Sequence, residues 1–191
     1  LTDQSLLMYK AIRNEFDNIG IVLQSRLFRT PEDIRSLHER PCRVRICIGI
    51  YKERTEVALQ DKADMKARLF EQVQLLLDHG HYPEIATHDE PLVRRCIEHL
   101  DKRGVSKDAY EFQMLLGVTG RLRDRVTALG HPMRIYVAFG REWYAYSVRR
   151  LPYVVRSAAA GFQQTSETLE EAAQNLGCPP LKAVFKITLP L

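Results

Sequence analysis

No apolar run in these 191 residues approaches the roughly 18 needed to cross a bilayer as a helix, so no membrane-crossing segment is expected. The four cysteines, Cys42, Cys47, Cys96 and Cys178, form no CxxC pair, and no metal-ligand set is expected. Cys47 lies inside an apolar run and reads as a small core residue in a reducing compartment. Lys and Arg number 28 against 24 Asp and Glu, a formal net charge of +4, and the charges are scattered. Without a basic block interleaved with aromatics, nucleic-acid binding is not expected. No signal-peptide pattern opens the sequence, and its first residue is Leu rather than Met, which reads as an internal fragment or a processed product. What is plentiful is apolar: 45% hydrophobic residues can pack a core and argue against disorder. The length suits one domain, or part of one if the fold is a barrel of about 250 residues.

Apolar spacing and turn signals divide the chain into alternating elements. Leu6, Leu7, Tyr9, Ile12 and Phe16 predict a helix over residues 3–16, stopped by Asp17-Asn18 and Gly20. IGIVLQ (19–24) follows as a continuous apolar strand of the kind buried on both faces. Thr30 and Pro31 read as an N-cap and first helical residue for a helix carrying Ile34 and Leu37. VRICIGIY (44–51) is the second strand, and Asp64–His79 is the clearest helix, with Met65, Leu69, Val73, Leu76 and Leu77 on one face. EIATHD (84–89) is the third strand, followed by a helix from Pro91 that is closed by Gly104. YEFQMLLG (110–117) is the fourth strand, and Leu122, Val126 and Leu129 mark a short helix before Gly130. Ile135, Val137 and Phe139 alternate along a fifth strand.

Five βα units in succession imply a parallel sheet wrapped by helices, as in a doubly wound sheet or a barrel. The Gly-rich fingerprint of a first dinucleotide-binding strand is missing. Polar residues stand at the C-terminal end of every strand: Gln24, Tyr51, Thr87 with His88, Gln113, and the Tyr136 region. In a barrel those ends converge on one site. The expected class is therefore α/β, a partial (β/α)8 TIM-type barrel followed by a short α-helical tail.

The stretch from Arg134 to Arg150, RIYVAFGREWYAYSVRR, organises the rest. Gly140 breaks its strand, and the helical segment beyond ends in the tandem arginines Arg149 and Arg150, with Tyr146 one turn earlier on the same face. Adjacent guanidinium groups beside phenols suit a small carboxylate, because the planar fork meets both oxygens at once. An ordinary basic helix end, favoured by the C-terminal dipole, fits the same residues.

DNIGIVLQ, VRICIGIYKE, QDKAD, IATHD, YEFQMLLG and RIYVAFGREWYAYSVRR, in this order, resemble the proline dehydrogenase barrel over about residues 3–151. The resemblance implies the last five βα units of the barrel and FAD at its C-terminal mouth. It implies oxidation of L-proline to 1-pyrroline-5-carboxylate by hydride transfer to the flavin N5, with electrons passed to a quinone or other acceptor. On this resemblance Arg149 and Arg150 bind the substrate carboxylate, and Tyr136, Tyr146 and Tyr51 wall the catalytic site. Gln24, Arg45, Lys62, Thr87, His88 and Gln113 contact the cofactor. The sequence departs from the family pattern at Ile48, where the family carries Lys, and at Arg26, where an aromatic commonly stands. The family's upstream catalytic Lys and Asp belong to strands absent here, so this chain alone is expected to bind FAD weakly or not at all.

Residues 152–191 read as a separate segment and resemble the EAA coupling loop of an ABC-transporter permease. Glu171-Ala172-Ala173, three residues, Gly177, nine residues, then Ile187-Thr188-Leu189-Pro190 carry that spacing. The resemblance implies two short helices that dock on an ATPase subunit, as an apolar helix face fits a cleft. The expected domains are thus 1–151 and 152–191, meeting at RRLPYVVRS. The alternative to the enzyme is a permease coupling segment for transmembrane transport, or a non-functional chimera of the two. The expected location is cytoplasmic, with a peripheral position at the inner face of the membrane as the variant that the tail implies.

Overall fold

The computed structural model describes residues 2–37, 40–49 and 53–137, which lie in the compact unit Leu1–Tyr136 and the one residue beyond it. In chain order the elements are α1 (Thr2–Arg13), β1 (Gly20–Gln24), α2 (Thr30–Arg35), β2 (Arg43–Cys47) and α3 (Lys62–Asp78). They continue with β3 (Tyr82–Ala86), α4 (Glu90–Lys102), β4 (Glu111–Leu115), α5 (Gly120–Ala128) and β5 (Met133–Tyr136). The fifth predicted strand therefore ends at Tyr136; Phe139, Tyr51, Tyr146, Arg149, Arg150 and the tail from 152 lie outside the described residues.

All five strands pair parallel in the order β1-β2-β3-β4-β5. A doubly wound sheet reverses its strand order at a switch point, and this one does not. Right-handed crossovers taken always in one direction lay every helix on the same side, and the sheet curls toward the other. That is the arrangement of a partial TIM-type barrel, an α/β fold.

Strand alternation sorts the side chains. Ile21, Leu23, Val44, Ile46, Ile85, Phe112 and Met114 are buried toward the helices, where they meet Leu69, Val73 and Leu76 of α3 and Val93, Cys96 and Leu100 of α4. The opposite, concave face is not apolar. The residues between them are Gln24, Arg43, Arg45, Cys47, Tyr82, Glu84, Glu111, Gln113, Arg134 and Tyr136. The expectation of strands buried and apolar on both faces fails here, most plainly at Val22, which is 57% exposed on the concave side of the edge strand. Cys47 is likewise half-buried on this face rather than in the core.

Two further differences are local. Thr30 does not cap α2: it is the first helical residue, and its hydroxyl donates to the Gln24 carbonyl at 2.6 Å. On α1 only Leu6 and Tyr9 are buried, while Leu7 and Ile12, and Phe16 beyond its end, are exposed, because α1 packs chiefly on the edge strand β1. Side-chain caps stand at two other helices: Asp61 accepts from Ala63 and Asp64 N–H at the start of α3, and Asp89 from Leu92 N–H at the start of α4.

Candidate active site

The C-terminal half of the concave face brings most of the described candidates together. Arg45, in the middle of β2, donates from Nη1 to Gln113 Oε1 at 2.7 Å, and its guanidinium carbon lies 4.2 Å from the centroid of the Tyr136 ring. A cation over a phenol face is attractive, and more so where water is partly excluded. These three residues reach one another across β2, β4 and β5 because each faces the concave side, Arg45 and Gln113 from the middle of their strands and Tyr136 from the end of its own.

His88 follows β3. Its Nε2 accepts the Leu115 backbone N–H at 2.9 Å, so the neutral ring must carry its proton on Nδ1. Burial, with the Arg45 charge added, lowers its pKa and keeps it neutral. Thr87, almost fully buried, accepts the Asp89 N–H at 3.2 Å and so shapes the turn into α4, whose cap Asp89 also pairs with Lys66 at 2.5 Å. Thr87 thus has a structural part as well as its position at the site rim.

Gln24 ends β1. Its amide oxygen is buried and has no donor among the described residues. A Cβ on Gly49 would lie 2.1 Å from that oxygen, and Gly49 sits at φ +90°, where a side chain is strained in any case. Glycine at 49 therefore keeps the Gln24 amide in place. Ile48, just before it, packs against the apolar core. Arg26 is buried, with Nη2 donating to the Leu59 carbonyl at 3.1 Å. Lys62 stands exposed at the first position of α3.

Below this cluster lies a charged layer that sequence reasoning missed. Arg43 donates to Glu84 at 2.6 Å and to Glu111 at 2.7 Å, and Arg134 donates to both oxygens of Glu111 at 2.5 and 2.9 Å. Arg43 also stacks 3.9 Å from the Tyr82 ring centroid, and the Tyr82 hydroxyl donates to the Tyr110 carbonyl. The signal was available: Glu84, Glu111, Arg43 and Arg45 stand at alternate positions in otherwise apolar strands, where a charge is costly unless paired. Burial alone would raise the Glu111 carboxyl, but hydrogen bonds from Arg134 and Gln113 and the charges of Arg134 and Arg43 leave it below the usual range. The Cys47 thiol is pushed up by burial, with Arg45 opposing, which argues against a thiolate nucleophile.

A parallel sheet of barrel type with a polar, cationic site at its strand C-termini defines an enzyme-like barrel. The family profile described as proline dehydrogenase matches residues 3–158, and the chain belongs to the proline dehydrogenase family. It is 37% identical over 159 residues to a proline dehydrogenase of Deinococcus radiodurans, covering 82% of this chain and 51% of that protein. It is 32% identical over 160 residues to proline dehydrogenase 1 of Bacillus subtilis, covering 84% of this chain and 52% of that protein. The chain thus spans about half the length of the curated relatives it matches. The structure of proline utilization A from Bdellovibrio bacteriovorus inactivated by N-propargylglycine superposes with a TM-score of 0.71 at 28% identity, over 78% of this chain and 18% of that one. A bifunctional proline utilization A protein matches at 20% identity with a TM-score of 0.67, over 98% of this chain and 20% of that one, and shows the shared fold. The family match runs seven residues past the expected boundary at 151, and the permease resemblance rests on its sequence motif alone.

Proposed function

We propose that this chain supplies the last five βα units of a flavin-dependent proline dehydrogenase, oxidising L-proline to 1-pyrroline-5-carboxylate in proline catabolism. The observation that carries the reading is the convergence of Arg45, Gln113, Tyr136 and His88 at the strand C-termini of a chain in this family. The polar groups fit FAD. The Gln24 amide oxygen lacks a donor among the described residues, the His88 ring carries its proton on Nδ1, and a flavin ring edge carries both an N–H and carbonyl oxygens.

When bound, FAD accepts the hydride, and the protein's part is to orient and polarise. Gln24, His88, Thr87, Lys62, Gln113 and Arg45 would hold the cofactor, Gln24 and His88 through hydrogen bonds to the flavin ring edge. Arg45 would place a fixed positive charge where negative charge develops, in a site whose low dielectric strengthens it. Neutral His88 would donate from Nδ1 without adding a second cation. Arg149 and Arg150 would clamp the proline carboxylate, with Tyr51, Tyr136 and Tyr146 enclosing the ring of the substrate. A quinone or similar acceptor would take up the electrons. The domain division at 151, with a helical tail beyond, remains part of this proposal.

The test is to purify the 191-residue chain alone and together with the upstream barrel half of the Deinococcus radiodurans relative, record the visible spectrum and add proline. The chain alone is expected to hold little or no FAD, and the complemented protein to carry flavin that bleaches with proline. A complemented protein without flavin, or with flavin indifferent to proline, would overturn the proposal; a stoichiometric yellow protein from the chain alone would overturn the need for the other half. In an active complemented protein, Arg149→Ala and Arg150→Ala should each raise the apparent KM for proline sharply, and unchanged kinetics would remove the carboxylate clamp.

A further inference from the structure

The amide of Gln113 is the most constrained polar group on the concave face. Gln113 is 2% exposed, and its Nε2 donates to Glu84 Oε2 at 2.8 Å and to Glu111 Oε1 at 2.7 Å. Both amide protons are therefore committed to carboxylates. The reversed amide would set its oxygen against two anions, so only one orientation is tenable, with Oε1 facing Arg45 Nη1. The carboxylates are themselves fixed: Glu84 Oε1 accepts from Arg43 Nε, and both Glu111 oxygens accept from Arg134. A chain of hydrogen bonds runs from Arg43 and Arg134 through Glu84 and Glu111 to Gln113 and ends on Arg45. The bonds from Arg45 to Gln113 and from Gln113 to the two carboxylates run in the same sense and strengthen one another, while Arg43 and Arg134 donate into the same carboxylates and fix their positions.

The geometry points to a positioning relay: Glu84 and Glu111 lock Gln113 so that its amide oxygen holds Arg45, and Gln113 serves the site through Arg45 rather than by donating to the cofactor. The inference rests on the proposed function for its purpose, since Arg45 is there the charge set beside the flavin. Its physical content, that the Arg45 guanidinium is immobilised by Gln113 and the two carboxylates, stands apart from any cofactor. Arg45 otherwise has a long side chain with rotamers to lose, so fixing it in advance avoids an entropic cost when the site is used. The Tyr136 ring supports the guanidinium from one face, but a ring face gives no directional stop. The Gln113 oxygen gives that stop.

The experiment follows the Arg45 guanidinium protons by NMR in the full chain, assigned through loss of the signal in Arg45→Lys. Wild type should show a slowly exchanging, resolved Arg45 side-chain resonance. Gln113→Leu should speed its exchange about tenfold or more, the effect of losing a hydrogen bond to a charged group. Glu84→Ala, which removes one of the two carboxylates that orient the amide, should act in the same direction by a smaller factor and carries the test if Gln113→Leu does not fold. Phe112→Leu, a core lesion in the same strand, should lower stability and leave the Arg45 resonance unchanged, which separates positioning from general loosening. An Arg45 resonance indifferent to Glu84→Ala, or one that loosens equally in Phe112→Leu, would overturn the relay. Failure of the complemented protein to bind FAD would overturn the proposed function without touching these results.

Discussion

The two faces of this sheet are made by the same strands and held by different physics. Toward the helices, Val44, Ile46, Ile85, Phe112 and Met114 are removed from water completely. Burial there is non-directional, stabilises in proportion to area, and tolerates exchange of one apolar shape for another of similar volume. On the concave face, Arg43, Arg45, Glu84, Glu111, Gln113 and Arg134 are held by directional bonds, each with a specific partner. Removing one partner there strands another. A strand with a period of two can therefore assign stability to one face and chemistry to the other with little interference.

The contrast breaks first, and most heavily, on the apolar face. Phe112→Ala should cost about 3–5 kcal/mol by urea denaturation, because α3 and α4 cannot collapse fully into the void. Glu111→Ala should cost about 1–3 kcal/mol, less than the core lesion, since Arg43 and Arg134 keep partial access to water. The pH profile sharpens this second prediction. A carboxyl whose folded pKa is depressed adds stability that is present above its unfolded value, about 4.3, and is lost as pH falls through the lower folded value. The wild-type urea midpoint should fall through that acid window, and Glu111→Gln should flatten the fall; equal slopes would mean that Glu111 is not the group responsible.

Gly49→Ala lies between the faces. The added Cβ would collide with the Gln24 amide at a backbone φ of +90°. A loss of about 1–2 kcal/mol is expected, together with a displaced Gln24. A thermal unfolding midpoint equal to wild type would show that the turn adapts freely. The smallest effect belongs to the outer surface. Glu32→Gln removes an exposed pair with Arg35 and should change stability by less than about 0.5 kcal/mol.

Element order was legible because helix and strand periods differ. Asp64–His79 was predicted within two residues of α3, since its apolar stripe and the Asp61 cap agree with its tertiary position. Strand ends were less legible. VRICIGIY continues apolar beyond Cys47, yet β2 stops there, because Gly49 turns the chain over Gln24, a contact between residues far apart in sequence. Gln24, Thr87, His88, Gln113 and Tyr136 were legible as polar ends of apolar strands, and Arg45 through the family resemblance. Glu84 and Glu111 were visible only as charges in otherwise apolar strands, and their partners Arg43, Gln113 and Arg134 come from register that the sequence does not report.

The sequence by itself determined the class of this protein: five alternating βα units, polar strand ends, and the ordered motifs of the proline dehydrogenase family. Periodicity and short motifs are local, so one chain read in order contains them. Only the tertiary structure decided that the sheet runs in unbroken order, that its concave face is charged, and that Gln113 faces Arg45 with its oxygen. Those facts depend on strand register, which sets side by side residues up to 68 positions apart, such as Arg45 and Gln113. Hydrogen bonds act over ångströms in space, and spacing along the chain does not report them.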